Sequence, residues 1–103
     1  IISTGINTPI ILNKFFKNNI NENITLYENL SFLDLEALIS NSLLLISCHG
    51  AVSHVAASKK IKQIDIIDKS YNYKKWTHHF RNYKSLERKN FDILYKEILS
   101  LIN

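Results

Sequence analysis

An α/β fold built on a parallel sheet with helices on both faces is predicted by three features of this 103-residue chain. Short apolar runs alternate with amphipathic stretches, which is the pattern of repeated strand–helix–strand units. The run Leu43-Leu44-Leu45-Ile46 has no polar interruption, the mark of a strand covered on both faces. Residues 46–57 then pass from that strand through Gly50 into a helix of small residues.

Each element has its own local reason. Residues 1–6 read as a short strand ending at Gly5, and Pro9 stands where a helix begins without losing a hydrogen bond. Ile10, Ile11, Lys14 and Phe15 give that helix two faces, and Asn18 with Asn19 stops it. Ile24-Thr25-Leu26-Tyr27 alternates between asparagines and predicts a second strand. Ser31 caps the next helix, with Asp34 three residues on and Leu33, Leu35, Leu38 and Ile39 as its apolar face. After the leucine strand, a helix is expected over about 50–59, closed by Lys59 and Lys60, and a strand from Ile61 to Ile67 ending at Asp68. Tyr71, Tyr73, Trp76, Phe80 and Tyr83 form an irregular or helical connection whose rings serve as packing material. Residues 85–103 read as a final helix, with Phe91, Leu94, Tyr95, Ile98, Leu99 and Ile102 at helical spacing.

The totals fit one domain, with 46% hydrophobic and 21% charged residues. Methionine is absent and the chain opens on Ile1-Ile2, so a piece of a longer two-domain protein is expected. No apolar run approaches the roughly 20 residues that span a bilayer, and no signal sequence opens the chain; a cytoplasmic location is expected. The lone Cys48 has no internal disulfide partner and is read as a small buried residue. Of the net charge of +4, residues 59–89 carry an excess, with ten lysines and arginines against Asp65, Asp68 and Glu87. Such a segment suits anionic ligands or an acidic membrane surface, or is a solvated face.

Candidate chemistry concentrates at the turn after the leucine strand. In open α/β sheets, ligands bind beyond the carboxyl ends of the strands. The first amides of a helix lack internal partners and lie at its positive end, so an anion is favoured there. Gly50 admits close backbone approach or simply serves a tight turn. The amides of Ala51 and Val52 point at an anion, Ser47 or Ser53 adds a hydroxyl, and His54 lies one helical turn after Gly50. His49 and His54 are each either ligand-facing or structural, and no catalytic residue is assigned. His49, His54, His78 and His79 show no metal-ligand spacing, and neither a Walker Gly-Lys-Ser/Thr nor a GxGxxG motif is present; no metal or cofactor is expected.

Taken together, residues 30–40, Leu44-Leu45-Ile46-Ser47 and His49-Gly50-Ala51-Val52-Ser53-His54-Val55-Ala56-Ala57 resemble the Rossmann-like, donor-binding C-terminal domain of GT-B glycosyltransferases. Within these the heptosyltransferase-like group, family 9, is the one most similar. In that group a helix and an apolar strand lead to an acidic residue, a small residue, a glycine, and a histidine followed by paired alanines. Aligning on His54-Val55-Ala56-Ala57 puts His49 at the acidic position, Ala51 at the glycine position and Gly50 one place early. The resemblance covers residues 1–68. It implies that Ser47, His49, Gly50 and Ala51 face a nucleoside diphosphate, with His54 in or beside the pocket. The nucleotide-sugar is then substrate rather than cofactor, and transfer is metal-independent.

The partners so implied are a nucleotide-sugar and a glycan or lipid-linked acceptor in cell-surface polysaccharide or lipopolysaccharide synthesis. The basic segment adds peripheral contact with an anionic inner membrane. A nucleotide-sugar epimerase is the related reading within the fold, and a non-enzymatic α/β binding or assembly module is the alternative from another class. Nucleic acid is not expected as a partner, because the basic residues form no recognised nucleic-acid motif.

Overall fold

Strands and helices alternate along the chain in the computed structural model, which describes residues 1–4, 7–18 and 23–102. They fall into two compact units, Ile1–Ala37 and Leu38–Asn103. Every strand pairing among the described residues is parallel, so the α/β class expected from the sequence is the one observed.

In the first unit, β1 (Ile2–Thr4) pairs with β2 (Leu26–Glu28), with Ile2 opposite Leu26. Between them runs α1 (Ile10–Asn18), whose first turn hydrogen-bonds to the carbonyl of Pro9 from the amides of Leu12 and Asn13. The predicted strand end at Gly5 and the stop at Asn19 lie outside the described residues. Helix α2 (Phe32–Ser40) starts as its sequence dictates: the Asp34 amide donates to Ser31 Oγ at 3.2 Å, and Leu35 donates to the Ser31 carbonyl at 2.9 Å. Its last residues belong to the second unit.

The second unit is a three-stranded sheet in the order β3 (Leu44–Cys48), β4 (Lys62–Ile67), β5 (Tyr83–Glu87). Helix α3 (Ala51–Ser58) connects β3 to β4 and packs on both. It ends with the paired bonds that close helices on a left-handed residue: Lys60 donates to the Ala57 carbonyl and Ile61 to that of Ala56, with Lys60 at φ 58°. A short α4 (Lys74–Thr77) lies before β5, and α5 (Phe91–Ile102) closes the chain.

Parallel register makes the two sheet faces distinct. Gln63 and Tyr83 share one face with Ser47 and Asp65, because Ser47 is opposite Asp65 and Gln63 opposite Tyr83. Gln63 Nε2 donates to the Ser53 carbonyl of α3 at 3.1 Å, so α3 covers this polar face. Ile46, Ile64 and Lys84 lie on the other, which is covered at its centre, where Ile64 is 1% exposed, and open at Ile46 and Lys84. The centre of the unit is β4, with Gln63, Ile64 and Asp65 all buried, joined by Ile39, Ala56 and Leu94.

Three expectations need correction. Leu43 and Ile46 are exposed, so the leucine run is not a strand buried on both faces; β3 is at the edge of its sheet, and β4 holds the interior. Residues 85–87 are strand, not helix: Leu86 pairs with Ile66, and Arg88 donates to the Ile67 carbonyl, an alternating pattern that the helical periodicity further on obscured. Asn90 sets the true start of α5, its side-chain oxygen accepting from Asp92 at 2.9 Å and its carbonyl from Ile93 and Leu94. Tyr71 and Trp76 are exposed rather than packed. No helix among the described residues is long and apolar enough to cross a membrane.

Candidate functional site

His49 follows directly on β3, and its amide donates to the Ile66 carbonyl at 3.0 Å, which prolongs the parallel pairing with β4 by one residue. Strand alternation then puts its side chain on the same face as Ser47 and Asp65. Nδ1 of His49 lies 2.5 Å from Asp65 Oδ2. The Asp65 carboxylate is completely buried and accepts two further bonds, from Ser53 Oγ at 2.8 Å and from the Tyr83 hydroxyl at 2.7 Å. Two elements and a turn therefore converge on one carboxylate of β4: the turn after β3 through His49, α3 through Ser53, and β5 through Tyr83. A buried charge survives only with such partners.

Because the carboxylate accepts, His49 Nδ1 carries the proton, and Nε2 has no partner among the described residues. The imidazole is 12% exposed and held from two sides by rings, with Tyr73 at a centroid distance of 4.7 Å and His54 at 5.5 Å. Burial, and then the bond to Asp65, push the Tyr83 phenol above its ordinary pKa. At the end of β4, the Ser70 amide and then its hydroxyl bond to Asp68 and hold that carboxyl below its ordinary pKa.

The helix start lies beside this network. Ser53 Oγ accepts from the Gly50 amide at 3.2 Å while the Ser53 amide donates to the Gly50 carbonyl at 3.0 Å. Ser53 is thus consumed by Gly50 and Asp65 and, being fully buried, offers no hydroxyl to a ligand. The amides of Ala51 and Val52 have no acceptor among the described residues. Gly50 itself is extended, at φ 174°, and a β-carbon there would meet only the Cys48 carbonyl at 3.9 Å. Neither a turn nor internal crowding requires glycine at this position. What its missing side chain leaves is bare backbone beside the free amides.

Of the residues the sequence singled out, His49, Gly50 and Ala51 are adjacent at the junction. Ser47 lies behind them on β3 with its Oγ buried and unpartnered. His54 is exposed on α3 and stacks edge-on between His49 and Phe80. Cys48 points away from His49 and is exposed, not buried, with Arg88 Nη2 3.1 Å from its Sγ. Among the described residues no group of three or more His, Cys, Asp or Glu side chains is placed to hold a metal.

The residues missed were Asp65, Gln63 and Tyr83. A signal for Asp65 was present: it is the only ionisable residue in the run from Gln63 to Ile67, and Ser47 and His49 share one parity on the neighbouring strand. The register that joins those two facts is not written in the sequence. No family model, curated protein or solved structure matches the chain.

Proposed function

We propose that the β3–α3 junction is the diphosphate end of a nucleotide-sugar site, and that the chain is the donor-binding half of a GT-B glycosyltransferase making cell-surface polysaccharide or lipopolysaccharide. One observation carries this reading. The free amides of Ala51 and Val52 stand next to an imidazole that Asp65 holds in a single orientation. A departing nucleoside diphosphate gains negative charge as the sugar leaves, and prealigned amides stabilise that charge without reorganising. Gly50 allows the phosphates to approach the backbone. Asp65 steadies His49, whose Nε2 donates to the diphosphate only when that nitrogen carries a proton.

In this reading the nucleotide-sugar is substrate, the acceptor is a glycan or lipid-linked glycan, and the base that activates the acceptor comes from a second domain. The enzyme works in the cytoplasm, peripheral to the inner membrane, with the basic residues of 59–89 toward anionic lipid. Titration of the full protein with nucleoside diphosphates tests it. Saturable binding that perturbs the Ala51 and Val52 amides, disappears in Gly50→Asp and weakens about tenfold in His49→Ala is expected. Failure of the complete protein to bind any nucleoside diphosphate saturably refutes it.

The exposed Tyr71 and Trp76 favour a second reading, a non-enzymatic assembly module. It predicts solvent protection over residues 71–83 only at concentrations where the chain dimerises.

A further inference from the structure

A second concavity runs along α3 from His54 to its C-terminal exit. Lys60 leaves that helix in the left-handed conformation, and Asn82 enters β5 in the same conformation, at φ 54°. The Asn82 side-chain amide donates to the Lys60 carbonyl at 3.3 Å, and its own carbonyl accepts from Gln63 at 2.9 Å. These bonds tie the exit of α3 to the entry of β5 and bring Lys60 and Arg81 to the rim of one cavity. Its volume is about 320 Å³, and His54, His79 and Phe80 line it with them.

The lining is one-sided in charge. No acidic side chain contributes, and no carboxylate among the described residues pairs with Lys60 or Arg81, whereas Lys89 is bound to Glu97 at 2.9 Å. Two unpaired cationic groups facing one cavity repel each other unless an anion lies between them. The guanidinium also offers the planar donor pair that matches a phosphoryl group. Phe80 is fixed in the wall by three T-shaped contacts, with His54 at 5.2 Å, His79 at 4.9 Å and Tyr83 at 5.4 Å. It therefore presents a rigid apolar surface close to the two cations.

We propose that this cavity binds a small phosphorylated ligand bearing a flat, apolar ring, with the phosphoryl group between Lys60 and Arg81 and the ring against Phe80. Its size suits one ring and one phosphate, at the small end of ligand pockets. Its two cations lie at and beyond the C-terminal exit of α3, whereas the Ala51 and Val52 amides lie at the start of that helix; the two places share only His54. It stands whether or not the junction binds a diphosphate.

The test is an amide-shift titration of the full chain with phenyl phosphate and, separately, inorganic phosphate. Phenyl phosphate is expected to shift the Lys60, Phe80 and Arg81 amides saturably, and inorganic phosphate to shift the same amides with about tenfold lower affinity. Lys60→Gly, which suits the left-handed backbone, and Arg81→Gln are each expected to weaken phenyl phosphate about tenfold. The proposal is overturned if phenyl phosphate leaves the three amides unmoved at millimolar concentration, or moves only Ala51 and Val52. It is equally overturned if both cation variants bind like the parent. Equal affinity for the two probes removes the ring from the proposal.

Discussion

His49 donates its Nδ1 proton to Asp65 across 2.5 Å, and the bond joins the end of β3 to the centre of β4. The imidazole tautomer is set by this contact. Long-range nitrogen–proton correlation spectra should show His49 with Nδ1 protonated and Nε2 bare. Asp65→Asn, which turns an amide toward the ring, should move part of the population to the Nε2–H form. A parent protein with the proton on Nε2 contradicts the assignment.

Asp65 satisfies three donors at once, so its removal is costlier than that of any one of them. Asp65→Ala leaves His49, Ser53 and Tyr83 without their acceptor and should destabilise the fold by about 3 kcal/mol or more. Tyr83→Phe loses one bond and should cost about 1 kcal/mol. Urea denaturation of the three proteins gives the order directly.

The raised Tyr83 pKa makes stability depend on alkaline pH. Below about pH 10 the phenol holds its proton in both folded and unfolded chains, and its contribution is fully present. Above that value the unfolded chain releases the proton while the folded chain retains it, so stability falls as pH rises toward the folded value. The difference in stability between the parent and Tyr83→Phe should therefore shrink above pH 10. A difference that is constant with pH contradicts this.

Gly50→Ala separates folding from binding. The extended backbone accepts alanine, and its β-carbon meets nothing closer than 3.9 Å, so stability should change by no more than about 1 kcal/mol. Binding of a nucleoside diphosphate at the Ala51 and Val52 amides should fall at least about tenfold, because the added methyl group stands in its path. Isothermal titration calorimetry beside thermal unfolding checks both halves.

Lys60→Gly should stabilise the protein by about 0.5–1 kcal/mol. The left-handed residue after α3 is a position that glycine occupies without strain, and the closing bonds of the helix are backbone bonds that the substitution keeps. A rise in the denaturation midpoint at unchanged slope is the expected readout.

Where local rules acted alone, the sequence was readable. Ser31 capped α2, Pro9 preceded α1, and α3 began after Gly50, because caps and turns depend on residues only a few positions apart. The C-terminal third was less so. The helical spacing of residues 91–102 masks the last three residues of β5, a strand held by pairing with β4 rather than by propensity. The left-handed conformations of Lys60 and Asn82 have no clear sequence mark, since neither is the glycine that normally occupies such a position.

The sequence by itself determined the α/β class, the order of most elements, and the turn in which His49, Gly50 and Ala51 are neighbours, because these follow from periodicity and adjacency. Only the tertiary structure decided which groups surround that turn. The choice of Asp65 as partner for His49, with Ser53 and Tyr83 on the same carboxylate, rests on the register of three parallel strands and on the helix that packs on two of them. A shift of one residue in that register would turn Asp65 to the opposite face, since side chains alternate along a strand.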